Sequence, residues 1–267
     1  LGYLLARPEG NGTAGSGARG FTLEQNGVAA GEEGAGPAGR RIAPRSGAAG
    51  TNKDGKAPLL DQKEIDALVL EASSDPNPLT RNLAFSRLRD ALTPENAAQL
   101  LASMQSNRAS GQQMQLFLYA WGAKDSAGAM AHSESLEGRE QLRFRENVLS
   151  GWAGKNPEAA IAWVNAQGDE ESQSRYRSSL VGGLADNNIN VATDYVMTRA
   201  AAGDKNAAGY MEIVTQEEIR KSGPSGAVSW GDQLPDGPMK AEALNEIAGD
   251  FARDNPRAAT AWAEKYA

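Results

Sequence analysis

The chain has 267 residues, of which 40% are hydrophobic, 6% are aromatic and none is cysteine. The lack of cysteine excludes disulfides, thiolate nucleophiles and cysteine-based zinc sites. Residues 1 to 60 carry seven Lys and Arg against five Asp and Glu, a net charge of +2. Since the whole chain has a net charge of −7, the remainder carries −9. This acidic remainder argues against a nucleic-acid partner, because such binding depends on Lys and Arg that neutralise phosphates.

The first 60 residues read as a flexible tail or linker rich in Gly, Ala and Pro. They hold 14 of the 30 glycines and show no periodic apolar face. A segment of this kind buries too little apolar surface to offset the entropy of ordering it. We therefore expect limited proteolysis to leave a resistant core that starts near Leu60. Residues 10–15 match a dinucleotide-binding glycine pattern, but without a flanking strand and helix the match predicts no cofactor.

The chain opens without Met on an apolar run, Leu1 to Ala6, which is followed by Arg7. This pattern is typical of the end of a signal peptide or membrane anchor. It favours an extracytoplasmic location with a membrane tether through a missing N-terminus. The alternative is an arbitrary fragment start.

From residue 61 onward the sequence predicts an all-α fold. Asn156-Pro157 and Asn255-Pro256 each combine a helix N-cap with proline at the first helical position, and Thr93-Pro94 has the same form. If the proline position is taken as a repeat mark, equivalent marks fall at 94, 126, 157, 189, 224 and 256. Spacings of 31 to 35 residues are typical of arrays built from helix pairs.

The repeat extends to the residues around each mark. Alanine stands three residues after it every time, at Ala97, Ala129, Ala160, Ala192, Ala227 and Ala259. Six residues after it stand Leu100, His132, Trp163, Tyr195, Trp230 and Trp262. These spacings predict one apolar stripe on each of two helices per unit, with the small alanine permitting close approach.

We therefore predict a right-handed α-solenoid of about six units of ~32 residues over 61–267. In each unit a first helix, such as Asn156 to Gln167, is followed by a second helix, such as Glu170 to Asp186. Two further helices, Asp61 to Ala72 and Asn77 to Ala91, are predicted as an N-terminal cap or a divergent unit.

The pattern Asn-Pro-Glu-Ala-Ala-x-x-Trp at 156–163, with Thr-Pro-Glu-Asn-Ala-Ala at 93–98, resembles the Ala/Trp-rich helical repeat proteins of planctomycete and verrucomicrobial bacteria. It resembles tetratricopeptide (TPR) repeats more distantly, since their Trp-Leu-Gly-Tyr consensus is missing. The likeness covers about 61 to 267. It implies a bacterial protein with extracytoplasmic or anchored placement and no catalytic residues.

The only histidine, His132, would have to serve any Ser-His-Asp triad or histidine-based metal site. It occupies a position filled elsewhere by Leu, Trp or Tyr, so we predict a packing role, no catalytic residue and no metal. A carboxylate-based hydrolase stays open as an alternative. Its candidates are Asp169, Glu170, Glu171, Glu217, Glu218 and Asp232.

The first helices also present residues four and eight positions after each mark, opposite the core stripe. Stacked first helices commonly line a concave groove, which suits a peptide or helix. The predicted partner-binding residues are Met130, Glu134, Ile161, Asn165, Thr193, Met197, Val228 and Asp232. The alternative is that the residues four positions after the mark pack between neighbouring helices.

The sequence thus predicts a non-catalytic scaffold that binds a protein or peptide. A self-associating structural subunit is the alternative from another class. Because the last mark, Pro256, is followed by only one helix, we expect either a truncated array or an end that another chain covers. Trp262 should then be more exposed than Trp163, with an apolar patch around Tyr266.

Overall fold

The computed structural model describes residues 60–265. Within that range the protein is built of helices and contains no β-strand, which confirms the predicted all-α class. None of the described helices combines the length and apolar character of a membrane span. The predicted tail up to residue 59 and the patch at Tyr266 lie outside the described residues.

Twelve helices are defined in the described range. They are α1 Gln62–Ser74, α2 Pro78–Ala91, α3 Ala97–Ser106, α4 Gly111–Lys124, α5 Ser126–Ser133, α6 Gly138–Lys155, α7 Pro157–Asn165, α8 Glu170–Asn187, α9 Ile189–Ala201, α10 Ala207–Gln233, α11 Pro238–Asp254 and α12 Pro256–Ala263. The helices expected from 61 to 72, from 77 to 91 and from 170 to 186 correspond to α1, α2 and α8.

Four repeat marks begin a helix whose N-cap side chain accepts a hydrogen bond from the first turn. The caps are Asp125, Asn156, Asn188 and Asn255. Each side chain satisfies a backbone N–H that has no partner within its own helix. The start of these helices is therefore a local property of the sequence.

The mark at Pro224 lies inside α10, where the helix is interrupted. Gly223 adopts φ 71° and ψ 169°, a left-handed conformation that favours glycine, and Pro224 cannot donate a helical hydrogen bond. Residues 207–222 and 224–233 are consequently two helical segments. The second segment begins at the mark.

The mark at Pro94 is the exception, and the expectation that Thr93 caps a helix starting there is wrong. Residues 94–96 form a turn, and α3 begins only at Ala97. The buried Thr93 hydroxyl makes no hydrogen bond to the described residues, and the Asn96 side chain instead accepts from the Thr93 N–H and donates to the carbonyl of Ala91, both at 2.8 Å.

The helices from α3 onward pack in two layers. We call α3, α5, α7, α9, residues 224–233 and α12 the first helices, and α4, α6, α8, residues 207–222 and α11 the second helices. The second helices lie side by side in chain order, α4 on α6, α6 on α8, and α8 on α10, which packs on α11. The first helices α5, α7 and α9 each contact the second helices that precede and follow them.

The core lies between these layers and uses the predicted alanines. All six are buried, with exposed fractions from 0% to 6%. The large residues six positions after the mark are less uniform. Leu100 and Trp262 are buried, while His132, Trp163, Tyr195 and Trp230 are half-buried.

Trp262 departs from the sequence expectation. It is 6% exposed and Trp163 is half-buried, so the predicted order of their exposure is wrong. The Trp262 ring packs edge-on against Phe251 with centroids 6.0 Å apart, and its indole Nε1 donates to Asp232 Oδ1 at 2.9 Å. Asp232 belongs to the preceding first helix, so α12 is held by the unit before it.

Glycines bring the second helices into backbone contact. A methyl group on Gly122 would lie 2.0 Å from the carbonyl oxygen of Val148 in α6, and one on Gly151 would lie 1.8 Å from that of Tyr119 in α4. One on Gly183 would lie 2.1 Å from the carbonyl oxygen of Ser150. No side chain larger than hydrogen fits at these points.

Candidate functional site

The predicted row four positions after each mark mostly faces inward. Met130, Ile161 and Val228 are half-buried and pack against the hydrophobic core. Thr193 is 8% exposed, and its hydroxyl donates to the carbonyl of Ile189 at 2.8 Å. These four side chains therefore contribute to packing.

The residues predicted eight positions after each mark differ in their exposure. Glu134 and Asn165 are exposed, whereas Met197 is half-buried against the core. Asp232 accepts the hydrogen bond from Trp262. The predicted partner-binding residues thus split between the packed interior and separate exposed positions.

His132 is half-buried among aromatic rings. Its ring centroid lies 5.4 Å from that of Trp121 and 5.5 Å from that of Phe144. In residues 60–265, no group of three or more His, Asp or Glu side chains is arranged to hold a metal ion. The contacts of His132 are those of a packing residue.

The carboxylates proposed for a hydrolase are engaged in caps and ion pairs. Asp169 caps α8 by accepting from the Ser172 N–H at 2.7 Å, and these hydrogen bonds lower its pKa. Hydrogen bonds from Arg177 lower the pKa of Glu170. Glu171 pairs with Arg175. A general acid needs a raised pKa, and these shifts have the opposite sign.

A buried ionic network that the sequence did not predict ties α8 to the turn before α10. Arg177 is fully buried and pairs with Glu170 and, at 3.1 Å, with Asp204, whose side chain is 2% exposed. Arg199 donates to the same Asp204 oxygen at 3.0 Å. Two cations and two anions balance the network, which gives it a structural role.

A side-chain hydrogen bond crosses the second-helix layer from α4 to α8. The hydroxyl of Tyr119 on α4 donates to Asp186 Oδ2 on α8 at 2.7 Å, across the intervening α6. It crosses α6 at Gly154, where an added methyl group would lie 3.3 Å from this hydroxyl. Because Gly154 carries no side chain, the tyrosine can pass over α6 and link α4 to α8.

The same bridge continues along the face. Arg220 in residues 207–222 donates to Asp186 Oδ1 at 3.1 Å. Burial, followed by the hydrogen bond to Asp186, raises the pKa of Tyr119, so the phenol stays protonated and able to donate. Tyr119, Asp186 and Arg220 therefore link three second helices, α4, α8 and residues 207–222.

Between the N-terminal halves of α4 and α6 lies a groove of about 700 Å³, which we call the α4–α6 wedge. The two helices touch at their glycines near the C-terminal ends, and the groove occupies the space beyond. Its apolar lining consists of Leu101, Met114, Leu118 and Phe144. Its polar lining consists of Gln105, Gln115, Arg139, Glu140, Arg143 and Asn147.

A second groove of about 600 Å³ lies between α2 and α4, lined by Phe85, Leu116 and Tyr119 among others. Lys124 closes one end, because its Nζ donates to the carbonyls of Arg89 and Leu92 at 3.0 Å. Both grooves thus flank the exposed ridge of α4. The sequence analysis missed them because it assigned the binding face to the first helices.

Comparisons of the chain with protein-family models, with curated proteins and with solved structures gave no significant match. The resemblance to the Ala/Trp-rich and TPR repeat proteins therefore stays a prediction.

Proposed function

We propose that residues 61–267 form a right-handed α-solenoid of about six units that acts as a non-catalytic scaffold for a protein or peptide partner. Five of the six marks coincide with the start of a helical segment, which supports the repeat. The ordered succession of second helices supports stacking of the units.

The binding surface in this proposal follows the second helices α4 and α6, with a contribution from the first helix α3, in place of the predicted groove on the first helices. The observation that carries it is the pair of grooves on either side of α4. The apolar residues of the predicted row pack against the core, whereas Leu101, Met114, Leu118 and Phe144 form the floor of a groove that is open at the surface. Binding clefts are commonly about 300–1,000 Å³, and the wedge falls in that range with a lining that is both polar and apolar.

The test is selection of peptides on the full chain, followed by hydrogen exchange of each complex. We expect saturable binding that protects α4 and α6 from exchange and leaves α5 and α7 unchanged. Protection along α5 and α7 would return the site to the first helices. Failure to select any saturable ligand would contradict the scaffold function.

Exposed leucines favour a second candidate, a self-associating subunit. Leu79 and Leu83 on α2 are 76% and 55% exposed, and Leu116 on α4 is 47% exposed. Adjacent apolar residues at a surface often mark an interface. Sedimentation velocity over a hundredfold range of concentration should then show an oligomer that Leu79→Ser with Leu83→Ser abolishes. A concentration-independent monomer would contradict self-association.

A further inference from the structure

Charge is distributed unevenly along the acidic array. Residues 60–96 carry four Lys and Arg against seven Asp and Glu, and residues 156–265 carry ten against seventeen. Residues 97–155, which supply the whole lining of the α4–α6 wedge, carry six against five. The wedge therefore lies in the one section of this range that has a positive balance.

Two exposed arginines belong to the lining of the wedge. Arg139 and Arg143 are exposed and lie one turn apart on α6. Among the described residues, neither forms an ion pair within 4 Å, although Arg175 at the equivalent place on α8 pairs with Glu171. Glu140 lies beside them in the lining, and Arg143 is close enough to Glu146 to offset part of the rise in pKa that burial causes in that carboxyl, yet the guanidinium groups remain exposed.

The lining below these arginines suits a large apolar side chain. Leu118 and Phe144 are 5% exposed and are held in place by the core, while Met114 is half-buried and has a flexible side chain that can adapt to the shape of a ligand. Amides of Gln105, Gln115 and Asn147 surround this lining and can bind a peptide backbone.

We infer that the α4–α6 wedge binds a peptide segment in which Asp or Glu lies beside a large apolar residue. The apolar side chain enters the wedge, and the carboxylate pairs with Arg139 and Arg143. Arginine is suited to this task because its planar fork binds carboxylates through two hydrogen bonds. This inference rests on the proposed scaffold function and specifies the partner that the face selects.

The test uses a phage-displayed library of random dodecapeptides selected on the immobilised full chain. Enriched peptides are synthesised with a fluorescent label and titrated by anisotropy. We expect enriched sequences to place Asp or Glu next to Phe, Leu, Met or Trp. The double variant Arg139→Glu with Arg143→Glu should weaken their binding about tenfold or more, and added salt should weaken binding to the natural chain.

The matched control is Lys155→Glu with Arg257→Glu, which changes the net charge equally at exposed positions outside the wedge. This variant should bind within about twofold of the natural chain. On the peptide side, replacing the acid by its amide should reproduce the loss without altering the protein. That measurement stays decisive even if the double arginine variant folds poorly.

The outcomes separate the two proposals. Enriched peptides that are neutral or basic, or that bind the Arg139 and Arg143 variant as tightly as the control variant, would overturn the wedge inference and leave the scaffold function standing. A library that yields no saturable binder would overturn both.

Discussion

Replacement of Gly183 by alanine should destabilise the array, whereas the same change at its neighbour Gly182 should not. Both glycines lie in the interior of α8. A methyl group on Gly183 would lie 2.1 Å from the carbonyl oxygen of Ser150, while one on Gly182 would meet no atom within 4 Å. The two substitutions change composition and helix propensity identically, so they isolate the contact between α6 and α8.

The loss of folding stability can be estimated from the distance between the added methyl group and its neighbour. The methyl group on Gly183 would be about 1.3 Å closer than an ordinary 3.4 Å contact, and its obstacle is a backbone carbonyl that cannot rotate away. The helices must therefore separate, at a cost of about 1–3 kcal/mol or somewhat more. At Gly182, alanine should stabilise by roughly 0.5–1 kcal/mol, because glycine loses more backbone entropy on folding.

Thermal and urea unfolding followed by circular dichroism at 222 nm would measure the difference. For a protein of this size, each kcal/mol shifts Tm by about 2–4 °C. Gly183→Ala should melt several degrees lower than the natural chain and Gly182→Ala slightly higher. Equal stability of the two variants would refute the backbone contact, and with it the close packing of the second helices.

Three further predictions concern the core and its charges. Trp163→Ala should lower the free energy of unfolding by about 3 kcal/mol because it empties an interhelical space, whereas His132→Leu should change it by less than about 1 kcal/mol. Urea unfolding would measure both changes. Loss of a measurable activity in a stable His132→Leu variant would contradict the packing role. Arg177→Met should cost about 3–5 kcal/mol because it leaves Asp204 buried with one cation fewer, and adding Asp204→Asn should recover part of the loss. Burial raises the pKa of Glu146, so the folded state loses stability as pH rises through that pKa. Glu146→Gln should therefore be slightly more stable than the natural chain at pH 7. This gain should vanish at low pH, where Glu146 is protonated in both the folded and the unfolded state. A gain that grows as pH falls would contradict the assigned sign.

Features that depend on a few neighbouring residues could be predicted from the sequence. The caps Asn156 and Asn255 and the prolines that follow them act within one helical turn, so the sequence alone places those helix starts. The turn at Asn96 escaped prediction because its side chain bonds to the Thr93 N–H and to the carbonyl of Ala91 at the end of the preceding helix, contacts that a cap pattern does not show.

The binding face could not be predicted, because the helical period shows which residues share a side of a helix but not what that side meets. The row of Met130 and Ile161 is apolar in the sequence and is covered by packing in the structure. The α4–α6 wedge joins residues from α3, α4 and α6, and no local pattern connects them.

By itself, the sequence determined the all-α class, the places where most helices begin and the six alanines that turn to the core. The tertiary structure decided what depends on contacts between distant residues. The indole N–H of Trp262 donates to Asp232, 30 residues earlier, and Tyr119 links α4 to α8 by donating to Asp186, 67 residues later. Gly182 and Gly183 are the same residue type in the same helix, but only Gly183 faces the backbone of α6 closely enough that a larger side chain does not fit.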